Sequence, residues 1–592
     1  MNALNPEQDH AANTCGNVVV TACPGSGKTR VLTARVLRGL LEQSSTRNRV
    51  VALTFTNRAA DEIQGRIDQE HIDATNLWAG TIHAFALEWI LRPYAPHCEV
   101  TRFGFSVADE FYTRDLLSEL KSQVGLPYHE KVKTSYNRRG PKTADDERHR
   151  EVFDRYKAQL REEKLIDFHD VLFYAYSILE GEPEIARTLS SIIRLICVDE
   201  VQDIQDLPYA ILSSIYKSTD SPLDLFFVGD PDQSIYESLG ALTKSPEEIC
   251  AEFELDAIKR RELVGCYRST QRIIDFYRGF RPAVPEIESR ASDATSAGTI
   301  TFQNRTVDKE KLPVTVAGLI ASSIDAGVSP SEICVLAPQR WHIRSLANAL
   351  VGRLPHVDFD APGVSPIHGS RDNIWFKVGR LFLTSPTPER ARIRIRWANE
   401  LLTELVAVAR VSVPESCNTA RRLLRSINQI DSEALDGLEY LRHVFEQFLI
   451  EIEVDLSKSS ELQSASKMFF ENASRRIDKY EMPADVESLR KLFRYPSGVV
   501  INTCHGVKGE EFDTVIAFGL LKGYVPNWDS IFKEGNEVAS DRASKLLYVI
   551  CSRAKRRLHL IAESGRRSKT NNPYTTTPLL NRVEFEYDVV GI

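Results

Sequence analysis

The segment Ala22-Cys23-Pro24-Gly25-Ser26-Gly27-Lys28-Thr29 constrains this chain more than any other. It follows the apolar run Val18-Val19-Val20. After it, Val31, Leu32, Val36, Leu37, Leu40 and Leu41 fall on one helical face. A glycine-rich loop between a strand and a helix start is a phosphate cradle. Gly25 and Gly27 let backbone N–H groups approach phosphates, and the helix N-terminus adds positive partial charge. Lys28 is placed to reach the outer phosphates, and the Thr29 hydroxyl to bind Mg²⁺. Ala22 stands where the general P-loop pattern has its first glycine. The expected nucleotide-binding segment is Ala22, Cys23, Pro24, Gly25, Ser26, Gly27, Lys28, Thr29 and Arg30, and the expected chemistry is hydrolysis of a nucleoside triphosphate.

With 592 residues, the chain has room for three or four domains. Its formal net charge of −8 gives no global sign of nucleic-acid binding, although a local basic groove suffices for that. The ten cysteines are scattered, with no CxxC pair, which argues against structural zinc, Fe–S clusters and a disulfide framework. Neither a secretory signal nor an apolar run of the ~20 residues that span a bilayer is present. A cytoplasmic, reducing location without membrane partners is the expectation.

Short apolar runs at 18–20, 50–54, 195–198, 225–228, 333–336, 499–502 and 515–518 read as buried parallel strands. Helical patterns separate many of them, so the fold class is α/β. One strand group ends near residue 240 and another starts near 299, which suggests two nucleotide-fold lobes. The expected boundaries are 1–92 plus 185–280 for the first lobe and 281–385 plus 495–592 for the second. Mainly helical insertions are expected at 93–184 and, in reduced form, at 386–494. The basic stretch 131–142, with Tyr136 as its aromatic, reads either as a follower of a phosphate backbone or as a solvated loop.

Val198-Asp199-Glu200 ends a buried strand, where carboxylates face a ligand crevice. Asp199 suits Mg²⁺, and Glu200 suits activation of the attacking water. A second strand, 225–228, leads into Gly229-Asp230-Pro231-Asp232-Gln233, and Gln233 is a neutral group able to sense a γ-phosphate. Arg268 in Cys266-Tyr267-Arg268-Ser269 and Arg553 in Leu547-Tyr548-Val549-Ile550-Cys551-Ser552-Arg553 are candidates to stabilise charge on the transferring phosphoryl group.

Taken in order, these segments resemble superfamily 1 DNA helicases of the UvrD/Rep/PcrA group over roughly 4–280 and 299–560. Leu4-Asn5-Pro6-Glu7-Gln8 resembles the family's adenine-reading segment. Thr54-Phe55-Thr56-Asn57-Arg58 and Gly80-Thr81-Ile82-His83 resemble DNA-contacting segments. Asp167-Phe168-His169-Asp170 matches a recurring Asp-Phe-x-Asp, and 503–512 resembles the fifth motif. The resemblance implies two RecA-like lobes with ATP between them, Gln8 reading adenine, Tyr267 stacking on it and Glu511 binding the ribose. It also implies single-stranded DNA and 3′-tailed duplex as partners, and 3′→5′ movement. Phe55 and Tyr236 would stack on bases, with Thr56, Asn57, His83, Thr503 and His505 as further DNA contacts.

Ser238 and Leu239 stand where the family usually has a stacking aromatic and an arginine. Arg542-Ala543-Ser544-Lys545 occupies the usual place of an acidic residue. Weaker grip on single strands is the expected consequence. The pared-down insertion and missing platform resemble a short helicase subunit of a bacterial defence system such as Gabija, with a separate nuclease as partner. The alternative to a stand-alone helicase is thus a DNA-stimulated ATPase that regulates that nuclease.

Overall fold

The computed structural model of the chain describes residues 4–42, 45, 47–70, 72–108, 110–127, 130–142, 146–218, 223–237, 240–292, 294, 297–360, 367, 373–407, 411–480, 483–494, 497–568 and 571–589. It contains two six-stranded parallel sheets. The first is built from β1 (Val18–Ala22), β2 (Arg49–Thr54), β3 (Leu77–Thr81), β4 (Ile193–Val198), β5 (Asp224–Gly229) and β6 (Lys259–Leu263), in the order β6-β1-β5-β4-β2-β3. The second is built from β7 (Thr299–Asp308), β8 (Ile333–Ala337), β9 (Phe359–Asp360), β10 (Val499–Thr503), β11 (Phe512–Ala517) and β12 (Ala554–Ser564), in the order β7-β12-β11-β8-β10-β9. This is the α/β architecture expected of two RecA-like lobes.

Order within the first sheet positions the chemistry. β1 lies beside β5, and β5 beside β4. The loops that follow these three strands therefore leave from neighbouring carboxyl ends, where parallel sheets bind ligands. All seven apolar runs became strands. The strands missed include polar ones. β6, Lys-Arg-Arg-Glu-Leu, is an edge strand held by its ladder to β1, with only Leu263 buried.

The first helices begin as their sequences dictate. Asn5 caps α1 (Pro6–Asn13) in a reciprocal box with Gln8, with Pro6 in the first turn. α2 (Lys28–Leu41) buries Val31, Leu32, Val36 and Leu40 against the first sheet's core. Thr56 caps α3 (Asn57–Gln69) by accepting from Ala59 N.

By contacts the chain forms two compact units. One is Met1–Val328, Glu332–Gln339 and Thr503–Ile592; the other is Ser329–Ser331 and Arg340–Asn502. The second unit is mainly helical and has its own apolar core around Trp375, Leu401, Leu441 and Phe445. Among the described residues no helix is long and apolar enough to cross a membrane.

One buried histidine makes the first unit acid-sensitive. His559 Nδ1 lies 2.8 Å from Thr301 Oγ1, and burial, aided by the Arg557 charge, pushes its pKa down to about 4. Unfolded histidine titrates near 6.5. Stability is therefore complete above 6.5 and is lost as pH falls toward 4, at roughly 1.4 kcal/mol per pH unit, because only the unfolded chain takes up this proton. His559→Gln should flatten the pH dependence of the urea midpoint in that window. An unchanged slope counts against this account.

Candidate nucleotide site and nucleic-acid face

The phosphate cradle has the predicted strand–loop–helix form. Gly25 and Gly27 adopt φ of +71° and +83°, the left-handed region that glycine tolerates. Space is a second constraint. A Cβ on Gly25 would stand 2.7 Å from Arg268 Cβ, and one on Gly27 would stand 2.7 Å from Gln8 Nε2. Gly27 caps α2 without a side-chain acceptor, so the helix end is left to an incoming anion. Ser26 Oγ donates to Cys23 O at 2.8 Å, which closes the loop on itself.

Three side chains form a wall beside the loop. Gln8 is 1% exposed; its Nε2 donates to Ser26 O at 2.8 Å and its Oε1 accepts from Asn5 N at 3.2 Å. Asn5 Nδ2 in turn donates to the Tyr267 hydroxyl. Tyr267 N donates to Gly25 O at 2.8 Å, while the ring is 40% exposed and free to stack. Gln8 is thus turned onto the loop rather than toward solvent.

Carboxylates converge opposite the loop. Asp199 ends β4, and its Oδ1 accepts from Glu200 N at 3.0 Å. Glu200 follows in the left-handed region, φ 49°. Burial and then the neighbouring Glu200 raise the pKa of Asp199. Glu200 resists its own burial because Lys28 and Lys508 are near, and its pKa is lowered. The Lys28 charge also acts on Asp203 and Asp230. Gln202 links two of these groups: its Nε2 donates to Glu200 and its Oε1 accepts from Asp230 N. No group of three or more His, Cys, Asp or Glu with metal-holding geometry exists among the described residues.

The second sheet presents Arg553 at a strand start. Phe512 of β11 pairs with Ala554 of β12, which sets Glu511 and Arg553 side by side. Arg553 is 1% exposed. Its Nε donates to Val549 O at 3.0 Å, its Nη1 to Glu510 O at 3.2 Å and its Nη2 to Gln233 Oε1 at 2.7 Å. Gln233 Nε2 donates onward to Asp230 at 2.6 Å. Burial, then the like charge of Arg268, pulls the Arg553 pKa below its ordinary value. Such a cation gains from an arriving anion. Arg268 Nε donates to Glu511 Oε2 at 2.8 Å, and its Nη1 to Ser552 O at 2.8 Å. Burial works against the Glu511 carboxylate, yet Arg268 and Lys555 outweigh it and hold its pKa low.

Lys508 and Asp203 were not predicted. Lys508 Nζ pairs with buried Asp203 and also donates to Gln233 O at 2.6 Å. Burial pushes Asp203 up to about 7. The one signal in the sequence was the position of Lys508 inside the fifth-motif stretch.

The remaining candidates also lie in the first unit. Phe55 and Tyr236 stack on each other, with ring centroids 4.6 Å apart and planes at 27°. The Tyr236 hydroxyl donates to His505 O at 3.0 Å. His83 packs 4.5 Å from Phe168, an exposed ring that sequence reasoning passed over. Thr56 is occupied as a helix cap, Asn57 opens α3, and Thr503 Oγ1 accepts from Gly506 N at 3.1 Å. Ser238 and Leu239 lie outside the described residues.

Residues in two of the motifs have structural partners. Tyr136 is buried and stacks on Phe173 at 4.1 Å, while Arg138 pairs with Asp206 and Glu252. Neither is left to follow a phosphate backbone. Asp167 and Asp170 cap the helix Phe168–Gly181 and hold buried Lys157 at 2.7 and 2.8 Å.

Two family patterns match the chain: the UvrD/REP helicase N-terminal domain over residues 4–253 and the UvrD-like helicase C-terminal domain over residues 421–565. The chain is 23% identical to the ATP-dependent DNA helicase PcrA of Leuconostoc citreum, over 97% of this chain and 84% of that protein. It is also 23% identical to PcrA of Staphylococcus aureus (strain MRSA252), over 97% of this chain and 85% of that one. With UvrD1 of Mycobacterium tuberculosis (strain ATCC 25618 / H37Rv) it shares 30% identity over 46% of this chain and 38% of the relative.

Proposed function

Because the chain belongs to the UvrD/REP superfamily 1 helicase family, we propose that it is an ATP-dependent DNA helicase that moves 3′→5′ on single-stranded DNA. The observation that carries this reading is the Arg553–Gln233 bond. A buried cation beside β12 meets the neutral γ-phosphate sensor beside β5, so both sheets serve one ATP site.

The family resemblance, together with this geometry, supports the following roles. The 22–30 loop and Lys28 cradle the phosphates. Tyr267 stacks on the adenine, and Gln8 reads it by leaving Ser26 O. Glu511 takes the ribose once Arg268 turns to the γ-phosphate. Glu200, held ionised by Lys28 and Lys508, accepts a proton from the attacking water. Thr29 and Asp199 would hold Mg²⁺, which neutralises phosphate charge when bound. The buried Gln233–Arg553 pair couples phosphate loss to movement between the lobes, a two-state element with differential contacts.

Phe55, Thr56, Asn57, His83, Tyr236, Thr503 and His505 form the DNA path. The self-stacked Phe55–Tyr236 pair must part to receive a base. Phe55→Ala is expected to weaken binding of an oligo-dT strand by ~1–3 kcal/mol, the value of one stacked base. Equal affinity in a fluorescence titration removes Phe55 from the path. For the lobes and insertions the proposed boundaries are 1–92 plus 185–280, 93–184, 281–385 plus 495–592, and 386–494.

A second reading is a regulatory ATPase subunit beside a nuclease, as in Gabija-type defence. The substitutions Ser238 and Leu239 favour it, since they remove a stacking platform. One experiment tests both: ATP hydrolysis with and without single-stranded DNA, alongside 3′-tailed and 5′-tailed duplexes. DNA-stimulated turnover with separation of the 3′-tailed duplex supports the helicase. Stimulated turnover without separation supports the subunit. Turnover indifferent to DNA overturns both.

A further inference from the structure

We propose that the helical unit carries a second phosphate-binding pocket, built from Arg394, Arg421 and Arg425. A cavity of about 660 Å³ lies in this unit, with these arginines, Asn428 and Thr387 among its lining groups. That volume is nucleotide-sized. Between residues 386 and 429 stand eight arginines, no lysine and four glutamates, in a chain whose net charge is −8.

Arg394 carries the argument. It sits on the helix Ala391–Ala407 and is 3% exposed. Its Nη2 donates to Asn428 Oδ1 at 2.6 Å, and its Nη1 donates to Thr384 O. Both acceptors are neutral. Burial lowers its pKa, and no carboxylate offsets the penalty.

The described chain has four buried arginines: Arg35, Arg380, Arg394 and Arg553. Arg35 pairs with Asp224 at 2.9 Å and Arg380 with Glu400 at 2.5 Å. Arg394 and Arg553 alone hold only neutral partners. Arg553 is the one assigned above to a phosphate. Leaving a buried charge uncompensated is costly, and an anion repays it.

Arg421 and Arg425 complete the pocket. They stand one turn apart on the helix Ala420–Ile427, both exposed and both lining the cavity. Neither has an ion pair among the described residues. Guanidinium forks suit phosphate, and Pro386, Ile395 and Leu424 offer apolar wall to a sugar or base. The ligand is a nucleotide phosphate, from a DNA strand or from a free mononucleotide. The DNA source rests on the helicase reading; the mononucleotide source does not.

The test compares the full-length chain with Arg421→Ala/Arg425→Ala, an exposed pair whose loss spares the core, and with Arg394→Met. Probes are a fluorescent duplex with an oligo-dT tail, titrated across salt concentrations, and dTMP followed by calorimetry. For the DNA source, the double variant binds the duplex about tenfold more weakly, and its salt slope falls by about two. ATP turnover at saturating DNA stays unchanged. For the mononucleotide source, dTMP binding is lost in the double variant, retained in Lys28→Ala, and DNA affinity is untouched. Both variants binding DNA and dTMP like the parent chain overturns the pocket. Unstimulated ATP turnover in the parent chain fails the helicase reading instead, and the dTMP arm still decides the pocket.

Discussion

Arg553→Ala is expected to lower kcat for ATP hydrolysis by roughly 10³–10⁵, the span associated with an arginine that stabilises a transferring phosphoryl group. Such an arginine acts from a dry, preorganised position, and Arg553 has one: four neutral acceptors fix its guanidinium. Truncation also strips those buried acceptors, at ~1–3 kcal/mol for each one left unsatisfied. The variant is therefore to be measured with a thermal melt alongside kcat and KM. Arg553→Lys separates the effects. Lysine keeps a charge but not the planar fork, so it should recover stability before it recovers turnover. Because Arg553 and Gln233 touch, Gln233→Ala should cost much less on top of Arg553→Ala than it costs in the parent chain. Turnover of Arg553→Ala within tenfold of the parent chain would remove Arg553 from the chemistry.

Lys28→Ala should lower kcat/KM for ATP by on the order of 10²–10³ or more, while single-stranded DNA binding without nucleotide stays intact. The lysine opens α2 behind the glycine loop, and its charge opposes the upward pull of burial on the pKa values of Asp199, Glu200, Asp203 and Asp230. Removing it leaves four carboxylates facing the phosphates with less positive charge between them. The two losses add: a missing contact and a more repulsive site. The candidate DNA face, around Phe55 and Tyr236, is built from other residues. Steady-state hydrolysis and a DNA titration on the same preparation check both halves. Normal turnover sinks the assignment of the loop, and lost DNA binding sinks the separation of the two faces.

Local chemistry was legible before any fold was known. The run from Val18 through Leu41 states strand, loop and helix because a buried apolar strand, two glycines and one apolar helical face lie contiguous in the chain. Asp199 and Glu200 were legible for the same reason, as carboxylates ending an apolar strand. Strands without an apolar run were not legible. β6 and the start of β12, Ala-Lys-Arg-Arg, take their order from ladder partners rather than from their own composition. The 131–142 stretch was open between two readings, because nothing local says that Tyr136 finds Phe173 or that Arg138 finds Glu252.

By itself, the sequence determined which groups are candidates for a nucleotide site: a glycine-rich loop, a lysine, paired carboxylates, a glutamine and two arginines. Only the tertiary structure decided which of them meet. Arg553 and Gln233 are 320 positions apart, and Lys508 and Asp203 are 305 apart. At such separations chain spacing carries no information about contact. The partner of a charge is set by which strand ends the sheets bring together and by what burial costs an unpaired ion. Gln8 shows the same division. Its motif says that it belongs beside the loop, while its cap with Asn5 and its bond to Ser26 O are products of packing.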